Sequence, residues 1–288
     1  MTVRVTGPTA KERESVTMGS PAVGAVRVAA YLLLTCLLIP LQWLAVRFRL
    51  PLRSSLPTFY HGICARLMGF QVVVRGQRVP RGPVLFVSNH SSYLDITILG
   101  SVIPGSFVAK TEVGTWPFFS VLARLQETVF VERKARSTVG RQRDDMQGRL
   151  QAGDNLILFP EGTSSDGNRT LPFKTALFAV AGLRIDGQPL TVQPVSVTAT
   201  RLDGIPMGLM WRPAYAWYGD MDLLPHLWTV FTLGRMTVEV EFHPPVTIDG
   251  FSSRKALADH CWREVAGGVS RAVSGRHARP APAVQPAE

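Results

Sequence analysis

The chain reads as an α/β protein, a sheet covered by helices, led by an N-terminal membrane-associated helical segment. Three observations predict this. From residue 70 onward, short apolar runs of strand type alternate with stretches of helical periodicity. Two polar clusters, Ser88-Asn89-His90-Ser91-Ser92-Tyr93-Leu94-Asp95 and Phe159-Pro160-Glu161-Gly162-Thr163-Ser164-Ser165, each follow an apolar run (84–87 and 156–159). Both should therefore emerge at the ends of buried strands, where open α/β sheets place ligands. Finally, residues 28–46 carry no charge.

Taken in order, residues 1–25 form a polar, flexible N-terminus and residues 26–69 the membrane-associated helices. The uncharged run 28–46 is bracketed by Arg27 and by Arg47, Arg49 and Arg53. At 1.5 Å per residue it reaches about 28 Å, close to the hydrocarbon thickness of a bilayer. Pro40 and Gln42 interrupt it, so a tilted or half-inserted helix and a buried core helix remain alternatives to a span. A cleaved signal peptide is not expected, because a polar stretch precedes the run and no small-x-small site follows it. The arginines on its C-terminal side predict a catalytic domain on the cytoplasmic face of a bacterial inner membrane, held by a single-pass or monotopic anchor. Residues 54–68 predict an amphipathic helix: Leu56, Phe59, Tyr60, Ile63, Cys64, Leu67 and Met68 share a face, Ser54 or Ser55 caps it, and Gly69 ends it. That face either packs on the domain or lies at the lipid interface.

Residues 70–274 form the catalytic domain. Strands are expected at 72–74, 84–87, 107–109, 129–131, 156–159, 192–197 and 237–242, and helices at 137–151, 174–183 and 252–266. Residues 211–233, rich in Trp, Tyr, Met and Leu, read as irregular core or as a lipid-facing element. Residues 275–288 are Pro/Ala-rich and read as a disordered tail.

The first cluster supplies a base and a carboxylate. An imidazole suits proton abstraction near neutral pH, and a nearby carboxylate can fix its tautomer and stabilise the imidazolium. His90 and Asp95 fit these roles if His90 precedes a helix and Asp95 lies in its first turn, since five residues of regular helix would not bring them to one face. The competing reading is a capping box, Ser92-Tyr93-Leu94-Asp95, whose acid merely satisfies a backbone donor. The second cluster, rich in turn formers from Pro160 to Asn168, reads locally as a connecting loop.

Together the two clusters resemble the glycerolipid acyltransferases typified by 1-acylglycerol-3-phosphate acyltransferase, with Asn-His-four residues-Asp followed about seventy residues later by Phe-Pro-Glu-Gly-Thr. Further blocks agree in order. Lys110-Thr111-Glu112-Val113 with Trp116-Pro117-Phe118-Phe119 is similar to the second family block. Thr128-Val129-Phe130-Val131-Glu132-Arg133 is similar to the strand ending in a substrate-contacting arginine, Phe173-Lys174 follows, and Val192-Gln193-Pro194-Val195-Ser196-Val197 resembles the last strand. The resemblance covers residues 72–197 and implies a mixed sheet covered by helices. It also implies acyl transfer from a thioester of acyl carrier protein or coenzyme A to a lipid hydroxyl, without a cofactor or a covalent enzyme intermediate. By the same resemblance His90 is the general base and Asp95 its orienter, with Asn89, Lys110, Arg133, Glu161, Gly162, Thr163, Ser164 and Lys174 lining the substrate site. Backbone N–H groups at the helix start are candidate oxyanion donors. Arg133 and Lys174 are candidates for an anionic headgroup or carrier phosphate, although isolated cations are usually solvated.

One departure bears on the acceptor. In lysophosphatidate acyltransferases the Glu-Gly-Thr run continues with an arginine that pairs with phosphate, and here Ser164 stands in that place. Losing one charge-assisted bond typically costs about 1.5 to 3 kcal/mol. Residues 161–169 and Tyr218-Gly219-Asp220-Met221 resemble the lyso-ornithine lipid O-acyltransferase branch, whose zwitterionic acceptor lacks phosphate. Arg133 and the Asn168-Arg169 pair keep lysophosphatidate in view.

Composition fits a basic, membrane-facing enzyme: 31 Lys and Arg against 21 Asp and Glu give +10 over 288 residues. Such a field attracts anionic lipids, acidic carrier protein or coenzyme A. Nucleic-acid binding has no motif to support it, and 46% hydrophobic residues is high for it. Cys36, Cys64 and Cys261 are scattered among apolar neighbours, which argues for reduced thiols, and no metal site is implied. His61, His226, His243, His260 and His277 lack partners at ligand spacing and read as structural or surface residues. A lipid hydrolase using Ser91 or Ser92 lacks a nucleophile elbow. A silent lipid-binding protein is the remaining alternative.

Overall fold

The structure is a computed structural model that describes residues 19–80, 82–131 and 139–276. The expectations placed on most of residues 1–25, on Arg133 and on most of the tail lie outside the described residues.

Helix α1 (Pro21–Arg47) begins inside the stretch read as flexible. Ser20 accepts a hydrogen bond from the Val23 amide at 3.4 Å, and Pro21 sits at the first helical position, where its missing N–H costs nothing. Gly24, Tyr31, Thr35, Gln42 and Ala45 form a buried stripe, while Leu33 and Leu37 on other faces are 62% and 64% exposed. The helix is fastened along its length. The Ser20 amide donates to the Thr232 carbonyl at 2.9 Å, Arg27 donates to the carbonyls of Phe231 and Leu233, and Gln42 donates to that of Leu125 at 2.8 Å. Helix α2 (Leu52–Leu67) packs beside it and stops at Gly69, whose φ of +83° suits glycine.

The sheet comprises β1 (Phe70–Gly76), β2 (Val84–Ser88), β3 (Ser106–Lys110), β4 (Val129–Val131), β5 (Leu156–Leu158), β8 (Thr191–Leu202) and β10 (Met236–Phe242). Their spatial order is β1-β10-β8-β2-β5-β3-β4. The block from β8 to β4 is parallel. β10 runs antiparallel to β8 and parallel to β1, which makes the sheet mixed. A two-stranded ribbon, β6 (Arg184–Ile185) with β7 (Gln188–Pro189), stands apart, and β9 (Ile205–Pro206) pairs with the end of β8.

Strand β2 is buried on both faces, and its alternate residues feed different cores. Val84 and Phe86 join Cys64, Leu94, Ile98 and Val230, under α2, α3 (Leu94–Gly100) and α6 (Leu223–Thr232). Leu85 and Val87 join Leu257, Ala258, Cys261 and Val265 of α7 (Arg254–Ser274). The period of two in a strand sends successive side chains to opposite layers, and full burial of each is worth about 1.5 to 3 kcal/mol. The remaining helices are α4 (Phe119–Leu125) and α5 (Val139–Gln151).

Two expected helices differ. Residues 174–183 form only a 3-10 turn, Thr175–Phe178, followed by further turns. Phe178, Val180 and Ala181 are all fully buried, so packing consumes the segment from several sides and no amphipathic face remains. Helix α7 runs on past the expected end at residue 266 to Ser274, despite Gly267 and Gly268. A Cβ on Gly268 would lie 2.3 Å from the Ser196 hydroxyl, so glycine permits the close approach of α7 to β8. Residues 211–233 contain both kinds of surface, with Val230 and Phe231 in the core and Leu224 and Trp228 exposed.

Candidate active site

Strand β2 hands its register to a side chain. The last backbone pair with β8 is Ser88 with Val195. The Asn89 carboxamide then takes the place of the next rung, accepting from the Val197 amide and donating to the Val197 carbonyl, both at 2.8 Å. The chain leaves the sheet at His90 with its position already fixed.

His90 joins the two polar clusters. Its amide donates to Glu161 at 2.9 Å, its carbonyl accepts from the Ser165 amide at 2.9 Å, and its ring stacks on Phe159 with centroids 4.1 Å apart. Nδ1 lies 3.0 Å from Asp95 Oδ2, with the His90 side chain 22% exposed and that of Asp95 fully buried. Donation from Nδ1–H to a carboxylate leaves the lone pair on Nε2, the tautomer of a general base.

Asp95 is saturated. Oδ2 also accepts from the amides of Ser91 at 2.7 Å and Ser92 at 2.9 Å, while Oδ1 accepts from the Tyr215 hydroxyl at 2.6 Å. The capping and the His-pairing readings thus describe a single carboxylate. The Ser91 and Ser92 amides, at the start of α3, are occupied by Asp95 and are not free to hold an oxyanion.

Glu161 is 2% exposed. Its Oε1 holds the His90 amide and its Oε2 the Leu171 amide at 3.0 Å, so its carboxyl group braces two loops. Burial pushes this carboxyl up to about 8, against the opposing pull of the two amide donors. Gly162 is buried with φ +76°, Thr163 is exposed and Ser164 is half-buried on the same loop. The Lys174 amide donates to the Pro160 carbonyl at 2.9 Å while its side chain is exposed, and Lys110 ends β3, which pairs with β5. The structure therefore brings Asn89, His90, Asp95, Glu161 and Gly162 together, with Thr163 and Ser164 following. It places Lys110 and Lys174 on flanking elements.

Tyr215 was not among the expected site residues. It meets Asp95 across 120 residues of sequence and has no local periodicity to announce it. The aromatic turn around it is the only signal, and the Trp217 amide in that turn also donates to the Ser91 carbonyl at 2.8 Å.

An apolar cavity of about 160 Å³ adjoins the site, lined by Tyr31, Tyr60, Leu94, Phe107, Trp116 and Leu227 among others. Phe107 stacks parallel to Phe159 at 6.1 Å, so the cavity wall continues through Phe159 to the His90 ring. His61 lines the cavity, buried and hydrogen-bonded to Gln126 at 2.8 Å, and burial lowers its pKa. His226 bonds Tyr93 at 2.9 Å and His243 bonds Ser196 at 3.2 Å, as structural histidines would.

Comparison with known proteins follows the same lines. The family model described as Acyltransferase matches residues 71–198. A lyso-ornithine lipid O-acyltransferase of Brucella abortus is 44% identical over 261 residues, 88% of this chain and 98% of the relative. One of Rhizobium meliloti is 42% identical over 229 residues, 78% of each chain. A 1-acyl-sn-glycerol-3-phosphate acyltransferase of Neisseria meningitidis is 34% identical over 204 residues, 69% of this chain and 74% of the relative. In fold, the crystal structure of the acyltransferase PlsC from Thermotoga maritima superposes with a TM-score of 0.63 at 22% identity, over 90% of this chain and 96% of that one. With the mixed sheet and the paired His90 and Asp95 in place, this chain belongs to the glycerolipid acyltransferase family and is an acyltransferase acting on lyso-lipids.

Proposed function

We propose that this enzyme moves a fatty acyl chain from a thioester of acyl carrier protein or coenzyme A to the hydroxyl of lyso-ornithine lipid, giving ornithine lipid. The observation that carries the chemistry is the His90 ring, braced by a buried Asp95 on one edge and linked through the stacked rings of Phe159 and Phe107 to the wall of an apolar cavity. In this reading Nε2 removes the acceptor's proton as its oxygen attacks the thioester carbonyl. The tetrahedral intermediate collapses, the C–S bond breaks, and the imidazolium returns the proton to the leaving thiolate. Asp95 holds the ring's orientation and charge throughout, and such proton transfer typically contributes about 10² to 10⁴ in rate. Acyl chains would occupy the cavity. Ser164, in place of a phosphate-pairing arginine, and the names of the two relatives above 40% identity support the acceptor assignment.

The enzyme would work at the cytoplasmic face of a bacterial inner membrane. Helix α1 is long and apolar enough to cross a bilayer. Because it is fastened to the catalytic domain near Ser20, Arg27 and Gln42, we favour a monotopic seat, with the exposed leucines in lipid, over a span. Lysophosphatidate is the second acceptor, favoured by the name of the Neisseria meningitidis relative.

The test is purified enzyme with labelled acyl thioester of each donor type, presented with lyso-ornithine lipid, with lysophosphatidate or with no acceptor. Diacyl product from lyso-ornithine lipid, lost in His90→Ala, is expected. Equal or better use of lysophosphatidate would overturn the preferred acceptor, and acceptor-independent release of fatty acid would indicate a hydrolase.

A further inference from the structure

The cation missing at position 164 has a counterpart far away in the chain. Arg212 opens the short 3-10 turn Arg212–Ala214, is only 6% exposed, and makes no ion pair among the described residues. Its Nη1 donates to the Asn168 carboxamide oxygen and its Nη2 to the Met207 carbonyl at 3.0 Å, while Nε is buried without a partner. Buried cations are normally paired, because desolvation is costly and neutral oxygens compensate it only in part. This guanidinium is desolvated and left without an anion.

Its location gives it a use. A Cβ built on Gly167 would lie 3.7 Å from the Ser91 Cβ and 3.9 Å from the Arg212 Cδ, so a single glycine separates Arg212 from the loop that carries His90. The same segment is bound to the catalytic loop, since the Ser165 amide donates to the His90 carbonyl. Asp166 adds a half-buried carboxylate whose charge acts on Arg212 without forming an ion pair with it. Asp166 Oδ1 accepts from the Asn168 backbone amide at 3.1 Å, so this carboxylate is held on the loop bonded to His90 within electrostatic reach of Arg212.

We propose that Arg212 and Asp166 form the acceptor's headgroup site, Arg212 taking a carboxylate and Asp166 an ammonium group. The proposal rests on the lyso-ornithine reading, since amide-linked ornithine keeps both groups. Exchanging the neutral Asn168 amide oxygen for a carboxylate turns a cation–dipole hydrogen bond into an ion pair that can be bidentate. The pair carries no net charge, which matches a zwitterion, and Asp166 repels a phosphate dianion. A phosphate could supply the same anion to Arg212, so the acceptors tested must separate the two sources.

The experiment measures acceptor and donor KM for the full-length enzyme, Arg212→Gln and Arg212→Lys with lyso-ornithine lipid, its carboxamide analogue and lysophosphatidate. The carboxamide should raise the acceptor KM about tenfold or more in the unmodified enzyme and by less than about threefold in Arg212→Gln. Donor KM should not move. Arg212→Lys should keep a reduced preference for the carboxylate, which preserves the test if Arg212→Gln does not melt cooperatively. Asp166→Asn should raise the use of lysophosphatidate relative to lyso-ornithine lipid. Equal losses on carboxylate and carboxamide acceptors in the Arg212 variants would make Arg212 a structural tie and overturn the proposal. So would an unmodified enzyme indifferent to the carboxamide. Failure of the unmodified enzyme to acylate lyso-ornithine lipid at all would instead sink the acceptor reading and this site with it.

Discussion

Asp95 performs two duties with one carboxylate, ordering the loop after β2 and orienting His90, and two substitutions separate them. Asparagine can still offer an oxygen to the Ser91 and Ser92 amides and turn its nitrogen toward the Tyr215 oxygen. Asp95→Asn should therefore melt within a few degrees of the parent protein yet lose at least about tenfold in kcat, because the charge that stabilises the imidazolium in the proposed mechanism is gone. Asp95→Ala orphans several buried donors at about 1 to 3 kcal/mol each and should fall in both thermal melts and turnover. Equal loss of stability in both variants with an unaltered rate per folded molecule would reduce Asp95 to a cap. Glu161 makes a pH prediction. Its carboxyl sits at about 8 when folded, above the 4.5 of an exposed glutamate, so the folded state binds the extra proton between these values. The stability it contributes is full below about 4.5 and fades as pH rises through about 8, with a slope of up to about 1.4 kcal/mol per pH unit. Denaturant titrations from pH 5 to 8 should show this decline, and Glu161→Ala should flatten it. At this scale His90 and Asp95 were legible because their spacing is a local constraint. Tyr215 was not, because its role exists only once β8 has returned the chain to the site.

Among the elements, the Asn89 side chain acts as the last rung between β2 and β8. Asn89→Ala would leave the Val197 amide and carbonyl unpaired in a buried place and should cost about 2 to 5 kcal/mol in denaturant unfolding, with activity lost as His90 loosens. A stability change within 0.5 kcal/mol, a size typical of neutral surface substitutions, would contradict this account. The strands were readable because buried parallel strands are short continuous apolar runs, as 84–87 and 156–158 are. Residues 174–183 misled because their composition suits a helix while Phe178, Val180 and Ala181 are each drawn into the core. The end of α7 misled for the opposite reason. Gly267 and Gly268 look like a helix stop, yet Gly268 is the contact point with β8, and the helix ends only at Gly275 with its φ of +65°.

For the whole molecule, α1 is the element that the proposed membrane seat rests on. Its 27 residues extend about 40 Å, and bonds near both ends tie it to α4, α6 and the chain after α6. Leu33→Glu with Leu37→Glu should cut flotation with anionic vesicles about tenfold or more while leaving turnover on detergent-dispersed substrates nearly unchanged. Retained flotation would show that the basic surface, not α1, makes the attachment. The sequence reading left open whether the uncharged run crosses a bilayer, because length and hydropathy are the same for a span and for a helix lying along its own domain. The contacts of Ser20, Arg27 and Gln42 are what favours the second in the proposed reading. A helix pinned in this way has a directional consequence. In the proposed monotopic seat the catalyst would borrow its lipid laterally from one monolayer and return it, heavier by a chain, to that same monolayer, so carrying the product to the opposite side would fall to a different machine.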